Sequence, residues 1–276
     1  MEIKTIKKMK KIVLYAVAVL IAILFIYPLY ILLLVSFSPT TTTLDKLLPS
    51  QLPVKLTLNN FISALTQYNF VGPLFKSLEV AFMVGAITLA IAIPAAYGLS
   101  KLNRRTGNLI MVFLFIANLV PALIIAIPIS VEFIKAGMFD SPLALALAQS
   151  LFTLPLATFI LLGSFRTIPK DLENQARVDG MGLFRTIYTM LVPMAKAGVA
   201  AAFLLSWLTS WDEFTFAVIL SPLKPTLPVI VYINITEGSL IQAAAFAAVV
   251  SIPVIILTIV LQKYIRGIYL TGGITG

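Results

Sequence analysis

Five stretches of this chain, each more than 20 residues long, contain no charged residue: Ile12–Ser36, Val80–Ser100, Asn108–Val131, Ser141–Phe165 and Gly238–Gln262. A sixth, Ala197–Leu223, is interrupted only by Asp212 and Glu213. A helix crosses a hydrocarbon core of about 30 Å with roughly 20 apolar residues. Because backbone polar groups must be satisfied internally in lipid, the pattern predicts an all-α integral membrane protein with six transmembrane helices. The spans take up most of the 276 residues, leaving no room for a separate soluble domain.

Composition narrows the chemistry. Hydrophobic residues make up 60% of the chain and charged residues 11%, against about 25% charged in soluble domains. Cys and His are both absent. That excludes disulfide scaffolds, thiol catalysis, His- or Cys-ligated metals and a Ser-His-Asp triad. No G-x-x-x-x-G-K-[ST] run occurs, so the chain has no phosphate-binding loop for ATP. No cofactor and no metal are expected, and the chain reads as a non-enzyme.

The first stretch follows Lys4, Lys7, Lys8, Lys10 and Lys11, as a signal peptide would. It is, however, far longer than the roughly 7–15 residues of a signal core, and no small-residue cleavage site follows. It is expected to remain as the first helix.

Charge placement then sets the orientation. With the N-terminus inside, 15 of the 20 Lys and Arg fall in cytoplasmic segments, and only Lys46, Lys55, Lys76, Lys135 and Lys224 fall outside. This bias predicts both termini in the cytoplasm. It also accounts for the net charge of +9 without nucleic acid as a partner.

Two connections are too long to be simple turns. The external one, Phe37–Ser77, contains Leu58, Phe61, Ile62 and Leu65 at helical spacing. A short helix there lies on the membrane surface or packs on its own bundle; the spacing leaves both open. The internal one, Arg166–Lys196, is more informative. Pro169, Asp171 and Glu173 are helix-start features, and Gly180 and Gly182 mark a stop and a turn. A second helix is predicted from Leu183 towards Pro193, with Phe184, Ile187, Tyr188 and Leu191 on one face. By spacing alone this is either an amphipathic hairpin on the lipid surface or a knob that docks another protein.

The same segment resembles the cytoplasmic signature of ABC-importer permeases, E-A-A-x-x-x-G followed by nine residues and I-x-L-P. Asn174-Gln175-Ala176 takes the E-A-A positions, Gly180 the glycine, and Met190-Leu191-Val192-Pro193 the I-x-L-P. The approach Ser164–Glu173, the run Ala176-Arg177-Val178-Asp179-Gly180, Ala95–Ser100, Gly137–Ser141, Trp211-Asp212-Glu213-Phe214 and the tail Gly272–Gly276 are similar to the same family. The resemblance covers the chain from about Pro73 to its end and points to the smaller permease of a maltose-type carbohydrate importer. It implies the type I ABC importer permease fold with a cytoplasmic coupling helix, in the plasma membrane of a prokaryotic cell. The coupling residues are then Leu172, Glu173, Asn174, Gln175, Ala176, Arg177, Asp179 and Gly180. The implied partners are a second homologous permease, two ATPase subunits and an extracytoplasmic sugar-binding protein. Residues 1–72 hold the tail, first helix and external loop; 73–266 form the permease core, and 267–276 the C-terminal tail.

Departures from the pattern are specific. Asn174 stands where the family carries the glutamate that meets a basic residue in the ATPase groove. Glu173 is one position earlier, about 100° round a helix, and substitutes only if that helix rotates. Lys76 stands where relatives often carry Asn, and Thr275 where a tail Lys is common.

Asp212 and Glu213 are the only acids well inside a span, about 24 Å above Lys196 at 1.5 Å per residue. They read either as a helix break or as part of a translocation pathway with Trp211 and Phe214. Trp207 and Trp211 share a face and suit packing, an interfacial belt or a sugar platform. Pro94, Pro121, Pro128 and Pro155 are kinks held by packing or gating hinges. A secondary transporter or channel is the competing function; ion coupling normally needs charged groups near mid-membrane, and one off-centre acidic pair is all the chain offers.

Overall fold

A computed structural model describes residues 2–39, 56–67, 70–237 and 240–265. The middle of the long external loop and the glycine-rich tail lie outside the described residues. Every element among the described residues is helical: α1 (Glu2–Ser36), α2 (Asn59–Gln67), α3 (Val71–Lys101), α4 (Arg104–Ala117), α5 (Ala122–Lys135), α6 (Pro142–Arg166), α7 (Lys170–Val178), α8 (Leu183–Met194), α9 (Lys196–Trp211), α10 (Thr215–Leu220), α11 (Leu227–Glu237) and α12 (Leu240–Ile265). Four of them, α1, α3, α6 and α12, are long and apolar enough to cross a membrane alone. Counting each bent pair as one span raises the number to six.

The chain divides into two compact units, residues 1–70 with 231–251, and residues 71–230 with 252–276. In the first, α1 is exposed along nearly its whole apolar length and is held at its end. There Leu34 and Val35 are buried with Ile241, and the Asn60 side-chain amide donates to the carbonyls of Ser36 (2.9 Å) and Ser38 (2.6 Å). The ring of Phe61 meets that of Phe37 at 4.8 Å. Leu58, Ile62 and Leu65 remain exposed, so of the predicted apolar stripe only Phe61 packs within this unit among the described residues.

The second unit is built on α3, α6 and α9, which pack against one another. Its core contains Ala92, Ala96, Ala157, Leu161 and Ala202, all nearly inaccessible. Small residues let helix backbones approach closely where lipid gives no hydrophobic drive for association. Between α3 and α6 the buried hydroxyls of Thr88 and Thr153 are 2.5 Å apart, so each satisfies the other.

Three stretches depart from the sequence expectation. Asn108–Val131 does not form one straight crossing: α4 ends at Ala117, α5 starts at Ala122, and the two are bent by 80°. Pro121 supplies no N–H and disfavours helix at the residue before it, and the Asn118 side-chain amide at the end of α4 donates to the carbonyl of Phe152 at 3.1 Å. Pro94, Pro128 and Pro155, by contrast, lie inside continuous helices. Next, α3 begins at Val71 and not near Val80, so Lys76 belongs to the helix and not to the preceding loop. Finally, a π turn from Ile187 to Leu191 shifts the phase of α8. Ile187 and Leu191 are buried while Phe184 and Tyr188 face outward, so the four do not share one buried face. At Ala195 the chain bends by 85° into α9.

Candidate functional site

The loop between α6 and α9 forms the predicted helix, turn and helix. α7 runs from Lys170 to Val178, with Pro169 before its first turn and Asp171 and Glu173 within it. It stops where predicted, because Gly180 takes φ +77°, a left-handed conformation that costs a residue with a Cβ about 1–2 kcal/mol. The Met181 amide donates back to the Ala176 carbonyl at 2.9 Å and closes the cap.

The two faces of α7 differ in chemistry. Inward, Ala176 and Glu173 are buried. The Glu173 carboxylate accepts from the Tyr97 hydroxyl (2.6 Å), from Lys101 Nζ, and from Arg177 Nη2 (2.9 Å) one turn on. Tyr97 and Lys101 lie on the last turn and a half of α3, so this one carboxylate ties α7 to the central helix. Burial alone pushes its pKa up. Hydrogen bonds from Lys101 and Tyr97, with the charges of Lys101 and Arg177, outweigh that and hold it below the ordinary carboxylate value. Outward, Asn174, Gln175, Arg177, Asp179 and Gly180 are exposed, and Val178 is 87% exposed. Leu172 lies between the two faces. Asn174, at the signature position, thus points away from the bundle, and Glu173 does not rotate out to take its place. The partners Tyr97 and Lys101 were not singled out as a pair by the sequence, although their i, i+4 spacing at a helix end was a usable signal.

The acidic pair sits at a break. α9 ends at Trp211, and α10 starts at Thr215. Glu213 Oε1 accepts from the Phe216 amide (2.8 Å), and Oε2 accepts from the Ala217 amide (3.2 Å). The carboxylate therefore caps the orphan donors of α10. Gln149 of α6 donates to Glu213 at 3.0 Å and accepts from Ser210 at 2.5 Å, bracing both sides of the break. Gln149 was missed in the sequence, though an amide alone within a charge-free stretch signals a polar partner nearby. Asp212 is exposed, and Phe214 is partly buried. Trp207 and Trp211 are stacked with centroids 4.8 Å apart, and both are almost fully buried, so neither ring belongs to an interfacial belt.

At the start of α3, Lys76 is buried among oxygens. Its Nζ donates to the Lys224 carbonyl (2.6 Å), to the Asp140 carbonyl (3.3 Å) and to Ser221 Oγ, with the Asp140 carboxylate 3.7 Å away. Ser221 and the Lys224 amide both donate to that carboxylate, at 2.8 and 3.2 Å. Three loops or helix ends are thereby tied at one cation. Among the described residues no group of three or more His, Cys, Asp or Glu is placed to hold a metal.

Residues 87–267 match the family described as binding-protein-dependent transport system inner membrane component. The chain belongs to this family. It is thus a multi-pass membrane protein and a transporter component of a binding-protein-dependent system. The match runs from the middle of α3 to the end of α12 and includes both α7 and the broken α9–α10 segment. Among relatives, the trehalose/maltose transport system permease protein MalG of Thermococcus litoralis is 29% identical, covering 97% of this chain and 98% of its own. The sulfoquinovosyl glycerol transport system permease protein SmoH of Agrobacterium fabrum is 30% identical over 80% of this chain and 79% of its own. Among solved structures, a bacterial ABC transporter that imports the acidic polysaccharide alginate aligns with a TM-score of 0.71 at 21% identity, covering 93% of this chain and 96% of that one. The permease family and this chain share that fold.

Proposed function

We propose that this permease is a subunit of an ATP-driven, binding-protein-dependent carbohydrate importer and forms half of its translocation pathway. The observation that carries the reading is the two-faced α7. Its inner face is fixed to α3 by Glu173, and its outer face presents Asn174, Gln175, Val178 and Asp179. A rigid knob of this kind passes closure of an ATPase to the spanning helices as a rigid-body movement. Glu173 positions the knob, and Asn174 offers a neutral hydrogen bond in place of the charge-assisted one. Family membership and relatives named for trehalose, maltose and sulfoquinovosyl glycerol transport support a sugar as cargo.

In this reading six spans cross the membrane: α1, α3, the bent α4–α5 pair, α6, α9 with its preceding bend, and α12. The Lys and Arg bias supports both termini and α7 lying in the cytoplasm. The core runs over 73–266, between an N-terminal segment of 1–72 and a tail of 267–276. The working complex contains a second homologous permease, two ATPase subunits and an extracytoplasmic sugar-binding protein. The break at Trp211, Asp212, Glu213 and Phe214 shapes the outer half of the pathway, with Glu213 holding the start of α10.

Reconstitution with these partners tests the proposal. Sugar uptake into proteoliposomes should require ATP and the binding protein and should persist with uncouplers. Uptake driven by an ion gradient without ATP would sink it. Within the same assay Glu213→Gln should leave assembly intact and lower uptake only in part, since an amide still accepts from the α10 amides. A collapse of sugar affinity with normal assembly would instead make the pair a substrate contact.

A further inference from the structure

A groove of about 1050 Å³ lies between α4, α6, α9 and the end of α12. Its polar lining is gathered at one end: Asn108 near the start of α4, Arg166 and Thr167 at the end of α6, Lys196 at the start of α9 and Tyr264 near the end of α12. The remainder of the wall is apolar apart from Ser164, whose hydroxyl donates to the Ile160 carbonyl of its own helix. Val112, Phe115, Phe159 and Met194 line it and are exposed, and Gly163 opens onto empty space. Phe115 and Phe159 are each seven residues along their helices from Asn108 and Arg166, so the apolar wall reaches about 10 Å beyond the polar end.

The charges in this groove are uncompensated. No carboxylate lines it. Arg166 Nη1 donates to the neutral Asn108 Oδ1 at 3.0 Å, and Nη2 is buried without an acceptor. Gly107 makes room for that guanidinium, because a Cβ there would stand 2.7 Å from Nη2. Among the described residues Lys196 has no ion-pair partner either. Nη2 packs against Gly107, so it is the edge of the guanidinium lining the groove that offers an uncompensated charge to an anion. Two cations at the mouth of an apolar groove, at the membrane boundary, match the two halves of one kind of molecule.

We infer that this groove binds an anionic phospholipid, its phosphate on Arg166 and Lys196 and its acyl chains along Val112, Phe115 and Phe159. The inference rests on the reading of the chain as membrane-spanning but not on the identity of its cargo. A bound lipid would wedge α4 against α6 and α9 next to the turn that leads into α7, so the lipid would become part of the frame on which the knob is mounted.

The test uses the tagged full chain, purified in mild detergent with whatever subunits accompany it. It is offered an equal mixture of phosphatidylglycerol and phosphatidylcholine, and retained lipid is measured by mass spectrometry. The wild type should favour phosphatidylglycerol by about tenfold, the scale of one to two basic contacts. Arg166→Gln with Lys196→Gln should abolish the preference, and Lys196→Gln alone should reduce it if the double variant does not fold. Gly163→Leu should lower retention of both lipids by filling the groove. Equal retention of the two lipids by the wild type would overturn the inference, as would full displacement by inorganic phosphate, which lacks tails. Gly163→Leu that loses an accompanying permease while keeping its lipid would show that the groove is a subunit seam, again overturning it. None of these readouts depends on sugar transport, so failure here and failure of the importer reading are separable.

Discussion

The two ends of α3 are tied down by ions of opposite sign, and in different ways. At its start a buried cation, Lys76, is surrounded by acceptors that arrive from distant loops: two carbonyls, a hydroxyl and the Asp140 carboxylate. At its end a buried anion, Glu173, is surrounded by donors, and one of these, Arg177, comes from its own helix. The first cluster is closed, with both side chains of its ion pair about a tenth exposed; in the second, Lys101 is 37% exposed. A closed cluster fixes a structure, whereas a half-open one lets a helix be held and also moved. In the proposed function the start of α3 then acts as an anchor and its end as a mount.

Breaking the anchor should have the largest effect. Lys76→Ala leaves the Asp140 carboxylate with only the Ser221 and Lys224 donors, so the loss should fall near the lower end of the roughly 3–5 kcal/mol for an unpaired buried charge. Thermal unfolding in detergent measures it. A loss no greater than that of Glu173→Ala would erase the distinction between the two ends.

Glu173→Ala comes next. It strips Tyr97 and Lys101 of their acceptor, but Lys101 can be rehydrated, so about 2 kcal/mol is expected. The larger consequence should be mechanical, with ATPase co-purification retained but uptake per ATP reduced. The same carboxylate gives a pH signature. Its folded pKa is depressed, so its stabilisation is present above the unfolded value of about 4.5 and is lost as pH falls through the lower folded value. A spin label at Val178→Cys should therefore keep its neutral-pH mobility at pH 5 and become more mobile only under stronger acid, a change absent in Glu173→Gln. Loosening already near pH 6 would contradict the assignment.

Smaller still is Gly180→Val, which forces a β-branched residue to φ +77° at about 1–2 kcal/mol and should misalign the mount more than destabilise the fold. Asn174→Ala should change stability by less than about 0.5 kcal/mol and uptake less than Gly180→Val does, since its side chain is exposed and neutral. If Asn174→Ala uncouples transport while Gly180→Val is silent, the amide is the anchor point on the ATPase and the turn is not.

How much of this was readable beforehand differs between the same two ends. The mount was local: Pro169, the early acids and Gly180 sit within a dozen residues and specify α7 almost to its boundaries. At Asp212 and Glu213 the sequence left a helix break and a pathway contact both open, and the helix does break there. The anchor was not readable, because Lys76, Asp140 and Ser221 are separated by 64 and 145 residues along the chain and meet only in the fold. The direction of Glu173 was likewise hidden, since a helix period fixes which residues share a face but not which face turns inward. The bend at Pro121 shows the converse limit. Of Pro94, Pro121, Pro128 and Pro155, only Pro121, preceded by an amide that finds a partner on α6, breaks its helix.

The order of synthesis gives α1 a further meaning. Its end is fastened by Asn60, which the ribosome adds 24 residues after Ser36. Among the described residues, most of the length of the helix stays exposed. Its persistence must come from the bilayer itself, through an uninterrupted apolar run from Ile12 onward behind a basic leader. α1 is thus selected for insertion more than for packing, and polar substitutions along it should be felt during biogenesis, before any folded core exists to be destabilised.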